Sequence, residues 1–200
     1  AGIVNREDAI NIVGDGRFEG GDAIVSNGIV YIGVGGRTNK EGVRQAAPEI
    51  LKQGYRVVIA YDRQRDWNMK SEMKAMHFDT YAMPVSPNEM VVCMDEMKLR
   101  DAIEVTINEK GQLEEENLGK MVDFLESQGK DIIEISSYDQ EHFAPNFVNL
   151  GNKKVILSLD NENLAQQLEQ RGYTVLQADL EQITKGYGGL HCMSAPIERG

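Results

Sequence analysis

Three stretches of this chain repeat one arrangement of apolar and polar positions. In the first, Asn27-Gly28 signals a turn and Ile29-Val30-Tyr31-Ile32-Gly33 follows as an apolar run. A helical stretch covers Lys40 to Gln53, and Gly54-Tyr55-Arg56-Val57-Val58-Ile59 returns to an apolar run. The second is longer. It pairs Asn88-Glu89-Met90-Val91-Val92-Cys93-Met94 with a helix over Glu115 to Gln128 and with Gly129-Lys130-Asp131-Ile132-Ile133-Glu134-Ile135. The third runs Gly151-Asn152-Lys153-Lys154-Val155-Ile156-Leu157, a helix over Asn161 to Gln170, then Gly172-Tyr173-Thr174-Val175-Leu176. Short Val- and Ile-rich runs predict buried strands. Leu118, Val122 and Leu125 give the middle helix one apolar face. Gly54, Gly129 and Gly172 stand just past the three helices, where a left-handed C-cap favours Gly. The pattern predicts an α/β domain of strand–helix–strand units, stacked as any such domain or set radially around an axis.

No Pro/Gly/Ser linker divides the 200 residues, so residues 1–200 read as a single domain. The 21 basic and 32 acidic residues give a net charge of −11, which argues against a nucleic-acid groove and suits a cationic substrate. Apolar residues at 41% with 26% charged are ordinary globular composition. The apolar runs are too short to span a bilayer, and no basic segment leads into an apolar one as in a signal peptide. Two cysteines, Cys93 and Cys192, make no disulfide framework, so the expected location is the reducing cytoplasm. The chain opens Ala1-Gly2-Ile3-Val4 without Met, as initiator removal or processing would leave it.

Four islands carry candidate chemistry. Phe18-Glu19-Gly20-Gly21-Asp22 sets two carboxylates around a Gly-Gly turn, which is either a solvated turn or a place where backbone meets ligand. In Met76-His77-Phe78-Asp79-Thr80, an extended backbone would turn His77 and Asp79 to one side, an acid/base beside an anionic group. Gly35-Gly36-Arg37-Thr38-Asn39 offers Arg37 after a tight turn, solvent exposed or forked onto a carboxylate. Gly186-Tyr187-Gly188-Gly189-Leu190-His191-Cys192-Met193-Ser194-Ala195-Pro196 frames a thiol with glycines and exposes it for nucleophilic work. Cys93, inside an apolar run, reads as a buried small hydrophobe. His191 alternates away from Cys192 in a strand and reads as structural. The cysteines are far apart, without Cys-x-x-Cys or His-x-x-x-His, and no phosphate-binding or dinucleotide motif occurs, so neither metal nor cofactor is expected.

Together, and in this order, the islands resemble the guanidino-group modifying superfamily, the pentein fold of arginine deiminases, amidinotransferases, dimethylarginine hydrolases and agmatine deiminases. Glu19 to Asp22 is similar to the family's Glu-Gly-Gly-Asp element, His77 to Thr80 to its His-hydrophobic-Asp-Thr, and Arg37-Thr38 to its Arg-Thr turn. Gly188 to Pro196 is similar to its Gly-Gly-x-(Arg/His)-Cys-Met-(Ser/Thr)-x-Pro, with His191 in the variable slot. The resemblance implies an α/β propeller of ββαβ units around a pseudo-fivefold axis. It also implies a Cys192 nucleophile that attacks a guanidinium carbon to form a thiouronium intermediate. His77 would be the acid/base and Glu19 the group that orients it. Asp79 would accept from guanidinium nitrogens, Asp22 would brace the turn, and Arg37 would bind a substrate carboxylate. The expected reaction is hydrolysis with release of ammonia or an amine; the alternatives are an amidinotransferase and a non-catalytic binding domain of the same fold.

Two departures shape the expectation. Three repeats fall short of five units, and no Phe-x-Arg-Asp context precedes Glu19. The chain therefore reads as the C-terminal part of a longer or two-chain protein. A second chain or a missing N-terminal segment would supply the rest, unless the protein is a shortened variant; a homo-oligomer also stays open. The family's deiminases also carry an Arg ahead of the Cys glycines, where this chain has Lys185-Gly186-Tyr187, so the particular guanidine stays open.

Overall fold

The computed structural model describes residues 9–62 and 75–194. Ala195 and Pro196, which end the fourth island, lie outside them.

In chain order the elements are β1 (Ala23–Ser26), β2 (Ile29–Val34), α1 (Lys40–Lys52), β3 (Arg56–Tyr61), β4 (Ala82–Pro84), β5 (Glu89–Cys93), α2 (Met94–Met97), β6 (Asp101–Ile107), β7 (Leu113–Lys120), α3 (Met121–Ser127), β8 (Asp131–Ile135), α4 (Ser137–Glu141), β9 (Val148–Gly151), β10 (Lys154–Ser158), α5 (Glu162–Gln170), β11 (Thr174–Ala178) and α6 (Glu181–Thr184). Each predicted repeat gains a leading strand. β1 pairs antiparallel with β2, which runs parallel to β3. β4, β5 and β8 repeat that pairing, and so do β9, β10 and β11. The fold is α/β with mixed sheets built from three ββαβ units.

The first sheet shows how sequence period becomes packing. Along β2, Ile29 and Tyr31 enter one core while Val30, Ile32 and Val34 enter the other. β3 divides likewise, Val58 and Ala60 against Val57 and Ile59. Alternate side chains leave opposite faces of a strand, so a strand covered on both faces must be apolar throughout. The smaller core packs Val43 and Ala47 of α1. The larger joins the other face to the second and third units.

The middle helix is shorter than predicted. Residues 113–120 are strand β7, and the helix is only Met121–Ser127. Glu114, Glu115 and Glu116 favour helix weakly, but pairing with β6 overrides that preference. The β6–β7 hairpin, which the sequence did not signal, adds to β3 and completes the order β1-β2-β3-β6-β7. Charged, exposed side chains suit β7 to an edge. β11 is also more exposed than the buried strand expected at the end of the third repeat, and the added β9 is exposed as well. The three C-cap glycines stand in the left-handed region, at φ +87° for Gly54, +72° for Gly129 and +81° for Gly172.

A clasp built around Asn39 holds the segment that carries Glu19. Asn39 caps α1, its Oδ1 accepting from Gly42 N at 2.8 Å and from Arg17 N at 3.0 Å. Its Nδ2 donates to Asp15 O at 2.8 Å, and Thr38 Oγ1 accepts from Glu19 N at 3.0 Å. The segment leading to Glu19 is thus fastened to the helix start, and a Cβ on Gly42 would fall 1.9 Å from Arg17 O. We expect Gly42→Ala to destabilise the protein by about 1–3 kcal/mol, the usual range for overpacking. A thermal midpoint lowered by several degrees checks this; an unchanged midpoint contradicts it.

Candidate active site

Three turns far apart in sequence meet at one place. Gly20–Asp22 is a single 3-10 turn leading into β1. Phe78–Thr80 is another, with His77 extended just ahead of it. His191–Met193 is a third. Neither His77–Asp79 nor His191–Cys192 is therefore strand, contrary to the extended geometry expected. In a tight turn side chains do not alternate, and both members of each pair reach the same site.

Asp22 joins the first two turns. It is buried, and its Oδ1 accepts from Phe78 N at 3.1 Å. Burial pushes its carboxyl up to about 7, against the opposing pull of Thr38, His77 and the Phe78 N–H. His77 Nε2 donates to Glu19 Oε2 at 2.6 Å. A Cβ on Gly21 would lie 2.7 Å from His77 Nδ1, so the Gly-Gly turn lets the imidazole lie directly on backbone. Burial disfavours the charged ring. The Cys192 side chain, the Asp22 charge, Glu19 and the Asp79 charge outweigh it and raise His77 to about 9.

The third turn closes on Asp79, which is fully buried. Its Oδ2 accepts from His191 Nδ1 at 2.7 Å and lies 3.8 Å from Cys192 Sγ. Its Oδ1 is buried without a hydrogen-bond partner. Cys192 is exposed, whereas Cys93 is fully buried and its thiol is pushed up by burial. Arg37 stands at the margin, half exposed, with Nη1 3.9 Å from Glu19 Oε1.

The structure thus brings Glu19, Asp22, His77, Asp79 and Cys192 together, with Arg37 beside Glu19. Sequence reasoning missed two participants. His191, read as structural, pairs with the Asp79 carboxylate. Asn146, buried between the second and third units, hydrogen-bonds Cys192. A lone Asn in Ala144-Pro145-Asn146-Phe147 carries no sequence signal of that contact. Among the described residues, no three or more His, Cys, Asp or Glu side chains group as a metal site, and no helix is long and apolar enough to cross a membrane.

Such a site, an exposed thiol beside an imidazole and several carboxylates on an α/β frame of mixed sheets, suits cysteine-centred chemistry on a cation. The arginine deiminase family model matches residues 2–199, and the chain belongs to that family. It is 27% identical to the Bacillus subtilis (strain 168) protein YkgA over 189 residues, covering 93% of this chain and 54% of that one. It is likewise 27% identical to arginine deiminase of Streptococcus sanguinis (strain SK36), over 98% of this chain and 49% of that one. The chain therefore spans about half the length of these relatives. The N-terminal domain of ArgZ, a cyanobacterial arginine dihydrolase, superposes with a TM-score of 0.65 at 20% identity, over 92% of this chain and 57% of that one. DDAH from Pseudomonas aeruginosa gives 0.61 at 23%, over 89% and 55%. These two likenesses establish a shared, pentein-type fold.

The raised His77 fixes a pH dependence. The unfolded ring loses its proton near 6.5 and the folded ring near 9, so the folded state holds the proton more tightly. The stability this contributes is complete below 6.5 and lost as pH rises through 9. We expect the thermal midpoint of the parent, minus that of His77→Ala, to fall across this window; a flat or rising difference contradicts the assignment.

Proposed function

We propose that this chain carries the cysteine-centred chemistry of an enzyme that hydrolyses a guanidino compound. The Cys192 thiolate attacks the guanidinium carbon and forms a C–S bond. The C–N bond to the leaving amine then breaks as His77 gives that nitrogen its proton. The same imidazole, now neutral, takes a proton from water as the oxygen adds to the thiouronium carbon. The C–S bond breaks, the thiolate returns, His77 keeps the proton taken from water, and the product loses its hydroxyl proton to solvent and leaves as a ureido compound.

The observation that carries this reading is the convergence on Cys192 of the Glu19–His77 pair, joined at 2.6 Å, and the Asp79 carboxylate, 3.8 Å from the sulfur. A ring raised to about 9 is charged at neutral pH, as a proton donor to a leaving amine should be. Its Nε2 is engaged by Glu19, which leaves Nδ1 as the ring nitrogen to exchange that proton. Planar guanidinium presents donors in a fork, and the unpartnered Oδ1 of Asp79 supplies an acceptor for it. Glu19 orients His77 and shares the cation, Asp22 braces the His77 turn, and Arg37 meets a substrate carboxylate. Two neighbours of the same fold fit the chemistry: one is complexed with citrulline, the other is an adduct with S-methyl-L-thiocitrulline.

The finer architecture belongs to the same proposal. The three ββαβ units form part of a radial array, and units on further polypeptide or a partner chain complete the cleft. The relatives, about twice this length, support that reading.

The test is turnover of a panel of guanidines by the protein in its complete assembly. Ammonia or amine release should fall to background in Cys192→Ser and by about 10²–10⁴-fold in kcat in His77→Ala. Release without any added acceptor amine identifies hydrolysis; a strict amine requirement replaces it with amidino transfer. Full turnover by Cys192→Ser overturns the mechanism.

A further inference from the structure

The side chain of Asn146 meets Cys192 twice. Its Oδ1 accepts from Cys192 N at 3.1 Å, and its Nδ2 donates to Cys192 Sγ at 3.2 Å. The two contacts fix each other. The Cys192 N–H needs an acceptor, so the carboxamide oxygen must face the backbone, which leaves only the N–H end for the sulfur. The main chain adds a third contact, Asn146 O accepting from His191 N at 3.1 Å. Asn146 is itself held in place: it is 2% exposed, and its own N–H donates to Phe143 O at 2.9 Å, just past α4.

The fourth island makes room for this clamp. A Cβ on Gly189 would fall 2.7 Å from Asn146 Oδ1. The second glycine ahead of the cysteine is therefore a space requirement of the Asn146 carboxamide, besides any freedom it gives the loop.

The sulfur lies between opposite influences. The Asp79 carboxylate, 3.8 Å away, opposes a negative charge on it, while the charged His77 ring, which meets the Cys192 side chain, favours one. An N–H pointed at the sulfur favours that charge, because a donor stabilises the anion more than the neutral thiol. We propose that Asn146 is a positioning residue that orients the Cys192 side chain and stabilises its thiolate against the Asp79 carboxylate. The proposal rests on Cys192 being the nucleophile, but its test does not need the substrate.

The experiment is alkylation of Cys192 by iodoacetamide in the full protein, followed by mass spectrometry of the peptide containing Cys192, for parent, Asn146→Ala, Asn146→Asp and Gly189→Ala. Aspartate keeps the acceptor for the Cys192 N–H and removes the donor. A thiol that loses thiolate tenfold gains back about threefold in intrinsic nucleophilicity. The variants should therefore alkylate about threefold or more slowly at pH 6.5 and no more slowly at pH 10. A structural or access defect would instead slow both pH values alike. Equal rates in parent and variants, or the same deficit at both pH values, overturn the proposal. Loss of folding in both Asn146 variants also overturns it, assigning the residue to the fold. If guanidine turnover is absent in the parent, the hydrolase reading fails on its own, while the alkylation pattern still decides what Asn146 does to the sulfur.

Discussion

A buried carboxylate needs partners, and here that need draws the site together. Asp79 has no solvent exposure. Removing such a group from water costs several kcal/mol unless hydrogen bonds or charges replace the water. The replacements come from His191 and Cys192, more than 100 residues further along the chain. Asp22, likewise buried, ties the Asp79 turn to the Glu19 turn through the Phe78 N–H. Two acids thus join three turns. The ββαβ units act as the frame that holds the turns within reach, with Asn39 fastening the first of them to the start of α1.

The electrostatics divide along the same lines. Glu19 and Asp79, with Asp22 behind them, make the surroundings of Cys192 suited to a flat cation and opposed to an anionic sulfur. His77, raised to about 9, and the Asn146 N–H offset that opposition. A bound guanidinium would add its own positive charge. The cation to be attacked would then also help prepare the thiolate that attacks it.

Much of this was legible beforehand because it rests on local rules. The three strand–helix–strand repeats and their glycine C-caps follow from apolar period and from the left-handed backbone, and the structure has both. The islands that carry Glu19, His77, Asp79 and Cys192 were visible as residue patterns, and the structure gathers them. What stayed hidden depends on tertiary contact. The glutamates of β7 read as helix because only β6 makes them strand. His191 read as outward because an assumed strand alternates, whereas a 3-10 turn does not. Asn146 carries no local signature at all; its meaning comes from a sulfur 46 residues away.

The central claim, that the Cys192 sulfur bonds to the carbon of a guanidine, is open to direct observation. The protein, quenched in acid during incubation with guanidino compounds and analysed by peptide mass spectrometry, should carry an amidino or substituted amidino mass increment on Cys192. His77→Ala, which loses the proton donor that forms the intermediate as well as the base that releases it, should acquire the adduct more slowly than the parent. Turnover of a guanidine with no adduct on Cys192 in either protein, or with an adduct on another residue, would contradict the account.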